Sequence, residues 1–335
     1  MASVNAATQV GIHEDLSDKL VVADAKSTPL TSMMPKGKKA TNVLYEWPVS
    51  QIPQPDTTPI PDGKPVDKTE NLSGPRALLQ GRVQKVRRAF AVTEFAEDVN
   101  RPAGITSEFK AAKANALIAV KRAIEAVFAG NQDSSLNGST YQCRGLGKWL
   151  SGVAGSDLPI PAAYLTPAGA VYTGTLANLT EQNIRSIMQS IYENTGKKGT
   201  WDCIAGPDLK ATVSKMTIYD DSGGIGASKA IVRTFFAKLE DNTLDGVVDV
   251  VKGDFGVIRM HDDLWLNWDN VQKLPDTQRG YVLDMSDVEM KANKLPRYAP
   301  LPFDDSGPKG VVSAIVSIKV GSPLFHGMIA PPSTN

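Results

Sequence analysis

Over residues 106–130, TSEFKAAKANALIAVKRAIEAVFAG, apolar side chains return every three to four positions, the period of a helix with one buried face. At ~100° per residue Phe109, Ala112, Ala116, Val120, Ala123, Ile124 and Val127 share a side, with Leu117 and Phe128 at its margin. Lys110, Lys121, Arg122 and Glu125 face away. Thr106 or Ser107 can cap the amino end, and Gly130-Asn131 predicts a left-handed stop. At ~1.5 Å per residue the rod is about 37 Å long, enough to brace a whole domain.

Elsewhere the period shortens to two. From Asn42, Val43, Tyr45, Trp47 and Val49 point one way, as in a half-buried strand. Residues 82–95 place Val86, Phe90 and Val92 on one face, interrupted by Arg88. Between these runs lie Pro53, Pro55, Pro59, Pro61, Pro65 and Pro75 with Gly63 and Gly74. Proline withholds amide donors, so this stretch predicts a long extended projection, and connections beyond ~12–15 residues are usually functional or disordered. Residues 1–40 have little periodicity beyond a short polar helix near 15–20, and predict an arm that another surface must order.

Further along, the polar, Gly-rich residues 131–155 mark a boundary. Residues 180–194 predict a helix that buries Ile184, Ile187, Met188 and Ile191, followed by a strand at 201–205 and a helix at 207–216. Residues 247–268 read as a hairpin around Gly253 and Gly256, and strands close the chain at 281–283 and 310–320. The sum is α+β, without the regular strand-helix rhythm of a doubly wound sheet.

Composition narrows the function by exclusion. A chain of 335 residues forms two domains or one elaborated domain, and its 36 Lys+Arg against 36 Asp+Glu create no net field to hold a polyanion. Cys143 and Cys203 have no paired or metal-ligand spacing, and neither an export signal nor a membrane-length apolar run is visible. His13, His261 and His326 are scattered and read as ordinary surface or core histidines. The segment SGGIGAS at 222–228 lacks the Gly-Lys-Ser/Thr ending of a phosphate loop. The pairs Asp220-Asp221, Asp262-Asp263 and Asp304-Asp305 read as solvated turns. No catalytic arrangement, metal set or cofactor motif emerges.

One dense basic cluster, Arg82, Lys85, Arg87 and Arg88, sits on a predicted strand. With net charge zero, pairing with the acidic loop residues Asp56, Asp62, Asp67 or Glu70 of a neighbouring chain is favoured over phosphate. Tyr45 and Trp47 join the cluster as candidate contacts between subunits, Trp47 having a second reading as a core residue at the hairpin base.

The strings DLSDKL (15–20), STPLTSMMPKGKKATNVLYEW (27–47), QKVRRAFAVTEFAEDV (84–99), GLGKWL (145–150), TEQNIRSIMQSIYENTG (180–196) and VVDVVKGDFGVIRM (247–260) carry a resemblance. In their order they resemble the major capsid proteins of tailed bacteriophages, a podovirus-type branch of the Hong Kong 97 fold. The resemblance implies an arm at 1–41, an extended loop and its base at 42–105, and an axial domain at 151–283. A peripheral domain with the spine helix would take 106–150 and 284–335. It also implies pentamers and hexamers closing into an icosahedral shell around double-stranded DNA, held without sequence-specific contact. A separate scaffolding protein and a portal would assist, with assembly in the bacterial host cytoplasm, no membrane and no enzymatic activity. The same fold class serves encapsulin-like nanocompartments, the first alternative; an enzyme with a hidden site is the second. Assembly contacts are then expected from Tyr45, Trp47, Asp62, Lys64, Lys68, Glu70, Arg82, Lys85, Arg87 and Arg88. Some relatives form a lysine-asparagine cross-link, for which Lys64, Lys68 and Asn293 have the residue types but no catalytic carboxylate is evident.

Overall fold

The structure, a computed structural model, describes residues 27–52, 55–63, 65, 76–98, 107–216, 249–302 and 307–332. The predictions for residues 15–20, 220–228 and 304–305 therefore lie outside the described residues, as do Lys64, Lys68 and Glu70. The first half holds α1 (Pro29–Met33), β1 (Leu44–Ser50), β2 (Arg76–Arg82), β3 (Gln84–Ala91), α2 (Glu94–Asp98) and α3 (Glu108–Phe128). Then come β4 (Ser135–Asn137), β5 (Thr140–Gln142), α4 (Leu146–Trp149), β6 (Val171–Tyr172), α5 (Glu181–Thr195), β7 (Gly199–Ala205) and α6 (Pro207–Met216). The chain continues through β8 (Val250–Gly253), β9 (Gly256–Asp262), β10 (Gly280–Leu283), β11 (Val288–Pro300), β12 (Lys309–Val320) and β13 (Gly327–Ile329).

Helix α3 starts where Ser107 Oγ accepts the Lys110 amide at 3.2 Å. Its far end differs from the sequence expectation: Gly130 is not left-handed. Tertiary partners stop the helix instead. The Ala129 carbonyl accepts the Tyr281 hydroxyl at 2.8 Å and the Asn267 amide at 3.1 Å, while the Gly130 carbonyl accepts the Gly147 amide at 3.0 Å. Carbonyls that a helix end leaves open are thus consumed by the body. Glu125 is a second correction, because it is fully buried rather than outward-facing. A second body, made of α1 and the residues after β9, covers that flank, which an angular reading of one helix cannot see.

Under α3 lies the three-stranded antiparallel sheet β11-β12-β3. Val312, Ala314, Val316, Ile318 and Val320 of β12 form its buried row and share one apolar core with Val120, Ile124 and Phe128 of α3. Strand β11 escaped the sequence reading. Its VEMKANKLPRYAP is charged, half-exposed, interrupted by Pro296 and irregular in register between Ala292 and Arg297, as an edge strand tolerates.

A mixed sheet of order β6-β13-β10-β7-β9-β8 builds a second core around α5. Thr180 and Asn183 form a capping box at the start of α5, Gly196 ends it with φ +68°, and Ile184, Ile187, Met188 and Ile191 are buried as the periodicity predicts. The hairpin of β8 and β9 and the strand β7 also fall where the pattern put them, with α6 between β7 and β8 in sequence.

The stretch 131–155 carries core residues as well as polar ones. Cys143, Leu146, Trp149 and Leu150 are all buried there. Gly145 permits a close approach: a Cβ there would overlap the Gly130 carbonyl. The pair Asp262-Asp263 is not a solvated turn. Asp262 contacts Lys210 at 3.1 Å, and Asp263 is buried.

Candidate assembly surface

Strands β1 and β2 pair antiparallel from Leu44↔Arg82 to Ser50↔Arg76, forming a two-stranded stem, and of the residues between them 55–63 are exposed. The stem was only half legible, since β2 begins directly after the proline-rich run and was read as loop. Alternation along β1 points Tyr45, Trp47 and Val49 inward. The Tyr45 hydroxyl donates to the Ile318 carbonyl and lies beside the Ser317 hydroxyl, each at 2.8 Å. Burial pushes that phenol's pKa upward, so it stays protonated as a donor. Trp47 stacks on Tyr45 at 5.7 Å, tilts against Trp149 at 5.8 Å, and donates its indole N–H to the Gly321 carbonyl at 2.9 Å. Arg82 grips Asp157 through Nε and a second guanidinium nitrogen, at 2.9 and 3.3 Å. The hydrogen bond from Arg82 holds the Asp157 carboxyl below the usual range.

Three of the ten expected contact residues, Tyr45, Trp47 and Arg82, are therefore engaged within their own subunit. For Trp47 the hairpin-base reading describes its position, at 8% exposure. They anchor the stem to the edge of the β12 core, so the direction in which the loop leaves is fixed by the subunit itself.

Past the stem the character inverts. Ile52 and Ile60 are 90% and 78% exposed, and Asp62 is exposed beside the turn at Gly63, φ +75°. Asp56 accepts the Thr58 amide at 2.9 Å and its hydroxyl at 2.6 Å, a local turn. Lys85, Arg87 and Arg88 stand exposed on β3, an outer strand of its sheet. No carboxylate among the described residues is paired with these three cations. Arg88 also lines a groove of about 520 Å³ with Arg122, Trp265, Trp268, Asn267 and Gln132. That groove places a cation and aromatic faces next to the spine helix.

The arm has a partner in its own chain over residues 27–40, so the surface that orders this part is the subunit's own body. Leu30 and Met34 enter the main core. Lys36 bridges Met290 in parallel, the Gly37 amide donates to Met290, and the Ala40 amide donates to Ala292. Asn293 is occupied here, donating to the Ala40 carbonyl at 2.7 Å. The periodicity missed this because a strand-like segment lying along an edge takes its order from the edge, not from its own pattern.

His326 is buried between Asp284 and Asp287: its Nδ1 accepts the Asp284 amide at 3.1 Å, and Nε2 faces Asp287 Oδ2 at 3.2 Å. Its neighbours are backbone amides and carboxylates that tie the two sheets together. Among the described residues no helix is long and apolar enough to cross a membrane.

The family model described as SU10 major capsid protein matches residues 3–333. Among solved structures, one from Mycobacterium phage Bobi superposes with TM-score 0.60 at 12% identity, covering 96% of both chains. The capsid of Cyanophage P-SCSP1u gives TM-score 0.59 at 12% identity, over 99% of this chain and 97% of the other. The capsid of a native GTA particle gives 0.59 at 10% identity, over 99% and 100%. No curated protein sequence matches the chain. These structures share the Hong Kong 97-like mixed helix and sheet fold with this chain.

Proposed function

The chain belongs to the SU10 major capsid protein family and is a major capsid protein of an icosahedral phage shell; from that premise we propose how the subunit joins its neighbours. The carrying observation is the contrast along one hairpin, whose stem is locked into the subunit's core while its far part exposes Ile52 and Ile60. Aliphatic groups held out on a fixed stem gain stability only by burial against another copy. The tip, with Asp62 and, by sequence, Lys64, Lys68 and Glu70, meets a neighbouring subunit. Lys85, Arg87 and Arg88 receive acidic groups of an adjacent loop.

In this reading residues 1–41 are the arm and 42–105 the extended loop with its base. The axial domain is 151–283, and the peripheral domain is 106–150 with 284–335. The pairing of β13 with β10 gives the axial side one further strand from the C-terminal region. Pentamers and hexamers close around double-stranded DNA, with a separate scaffolding protein and a portal, in the cytoplasm of the host. Many modest interfaces act together, so cooperativity comes from closure rather than from any single strong contact. The role is structural, without catalysis.

Negative-stain electron microscopy after size-exclusion chromatography tests this. Closed particles or ring-like capsomers are expected. A monodisperse 36 kDa species under every assembly condition would refute it, the subunit mass being 35.9 kDa.

A further inference from the structure

Strand β11 carries two more residues than β12 over one shared stretch: Ala292 stands opposite Val316, Lys294 opposite Ile315 and Arg297 opposite Ser313. In an unbroken register Asn293 and Leu295 would fill those last two places. Register partners point to one face, so the irregularity brings Lys294 and Arg297, three positions apart, to the same face of the sheet. Regular alternation would have parted them. Across β12, Lys85 stands opposite Ile315 and Arg87 opposite Ser313. This face is turned away from α3: Val86, Val312 and Ala314 are buried on the α3 side, where Tyr298, partner of Val312, meets the Phe109 ring at 6.3 Å. Arg88, also opposite Val312, belongs to the α3 side.

Two cross-strand rows thus lie side by side, Lys85 and Lys294 flanking Ile315, Arg87 and Arg297 flanking Ser313. With a rise of ~3.4 Å per residue and ~4.8 Å between strands, the four attachment points mark a rectangle of about 7 by 10 Å. All four cations are exposed, Ile315 is half-buried and Ser313 is buried. No carboxylate among the described residues pairs with any of the four. Glu289, on the same face, is already shared by Lys291 at 3.4 Å and Lys319 at 3.5 Å. Four like charges within about one Debye length repel one another, and an anion brought among them relieves that repulsion.

We infer that this four-cation seat receives residues 55–63 of a second copy, with Asp62 between Arg87 and Arg297 and Ile60 on Ile315. Residues 55–63 carry Asp56 and Asp62 and no Lys or Arg. Asp56 is closed into its turn with Thr58, which leaves Asp62 as the exposed carboxylate. Ile60, 78% exposed, precedes it by two positions, about 6 Å in an extended proline-flanked chain, which matches the ~7 Å between the two rows. A chain of net charge zero has no overall field for a polyanion. An acidic tip with an aliphatic group and a basic seat with an aliphatic floor are instead the two unlike halves of a head-to-tail contact, the kind that closes rings. The choice of partner rests on the loop being the joint between subunits; the seat itself does not.

Cross-linking between two full-length chains tests the seat, one carrying Pro61→Cys beside Asp62 and the other Leu295→Cys beside Lys294. They are mixed at low salt and treated with a short bis-maleimide; Cys143 and Cys203 are buried and give little background. A junction peptide joining positions 61 and 295 is expected, at least about tenfold more abundant than one joining 61 to a Lys121→Cys chain, labelled on exposed α3. Adding Lys294→Glu and Arg297→Glu to the seat chain should cut the junction about tenfold, and adding Asp62→Arg to the tip chain should then restore most of it. Urea unfolding checks each variant, and Lys294→Gln with Arg297→Gln replaces the glutamate pair if that pair misfolds. Absence of the junction overturns the inference whether or not closed particles form, whereas a junction in preparations that never close refutes only the shell-building account. A junction indifferent to charge reversal, with the reversal instead abolishing retention on immobilised duplex DNA, would assign the seat to phosphate and also overturn the inference.

Discussion

Replacing Trp47 by alanine separates the stem of the hairpin from its tip. The indole is 8% exposed, touches two aromatic rings and donates one hydrogen bond. Burying about 200 Å² of ring at ~25 cal/mol per Å² is worth about 5 kcal/mol, an upper bound because the unfolded chain already buries some of it. Measured Trp→Ala costs in cores run at ~3–5 kcal/mol, and the lost bond to Gly321 contributes ~1 kcal/mol within that range. Urea unfolding of the isolated subunit should show a loss of about 3–5 kcal/mol for Trp47→Ala. Ile52→Ala, on a residue 90% exposed, should fall within about 0.5 kcal/mol of the parent yet impair assembly in light scattering. If Trp47→Ala lost less than about 1 kcal/mol, or Ile52→Ala destabilised the subunit as much as Trp47→Ala, the division into locked stem and presented tip would fail.

Gly145→Ala should be among the costliest single-methyl additions, several kcal/mol or an insoluble product on expression, because the new Cβ meets the backbone of Gly130 rather than a side chain that can turn away. Subunit stability should peak near pH 5 in urea titrations. On the acid side, burial opposes ionisation of Asp284 but Lys197 and Ser286 outweigh it; with Asp157 held low by Arg82, these groups give stability that vanishes as pH falls below the ordinary carboxyl range. On the other side Glu125 and Asp263 withdraw stability as pH rises through about 6 to 7, so a flat profile from pH 5 to 8 would contradict this second sign. Exchanging Lys85, Arg87 and Arg88 for glutamate should leave unfolding within about 1 kcal/mol while abolishing assembly at low salt, and particles of normal yield would remove these cations from the interface.

Elements whose own side chains decide their burial were readable before the structure. The stripe of α3, the four apolar residues of α5 and the alternation of β12 each carry enough periodicity to be recognised alone. Partnered elements were not. Strand β11 takes its order from β12, and the segment at 36–40 takes its order from β11, so neither needs an alternating pattern. Residues 131–155 read as polar and Gly-rich, and their buried side chains were not legible, partly because at Gly145 the missing side chain lets two backbones touch. Glu125 was the largest inversion. At ~100° per residue it lies about 60° beyond Phe128, on a flank buried only because another part of the chain folds over it. Of the assembly residues, the exposed cations and Asp62 were legible as charge. The engagement of Tyr45, Trp47 and Arg82 depends on Ser317, Gly321 and Asp157, which lie far away in sequence.

Ser50 and Arg76 are register partners, so residues 53–75 can be removed and the strands rejoined by a short Gly-containing turn without disturbing β1 and β2. Comparing this loopless chain with the parent by electron microscopy and urea unfolding tests most directly that the loop is the joint between subunits and not part of the fold. The expected result is an unfolding transition matching the parent's, with a complete loss of closed particles. Closed shells built by the loopless chain, or a chain that no longer folds, would contradict that claim.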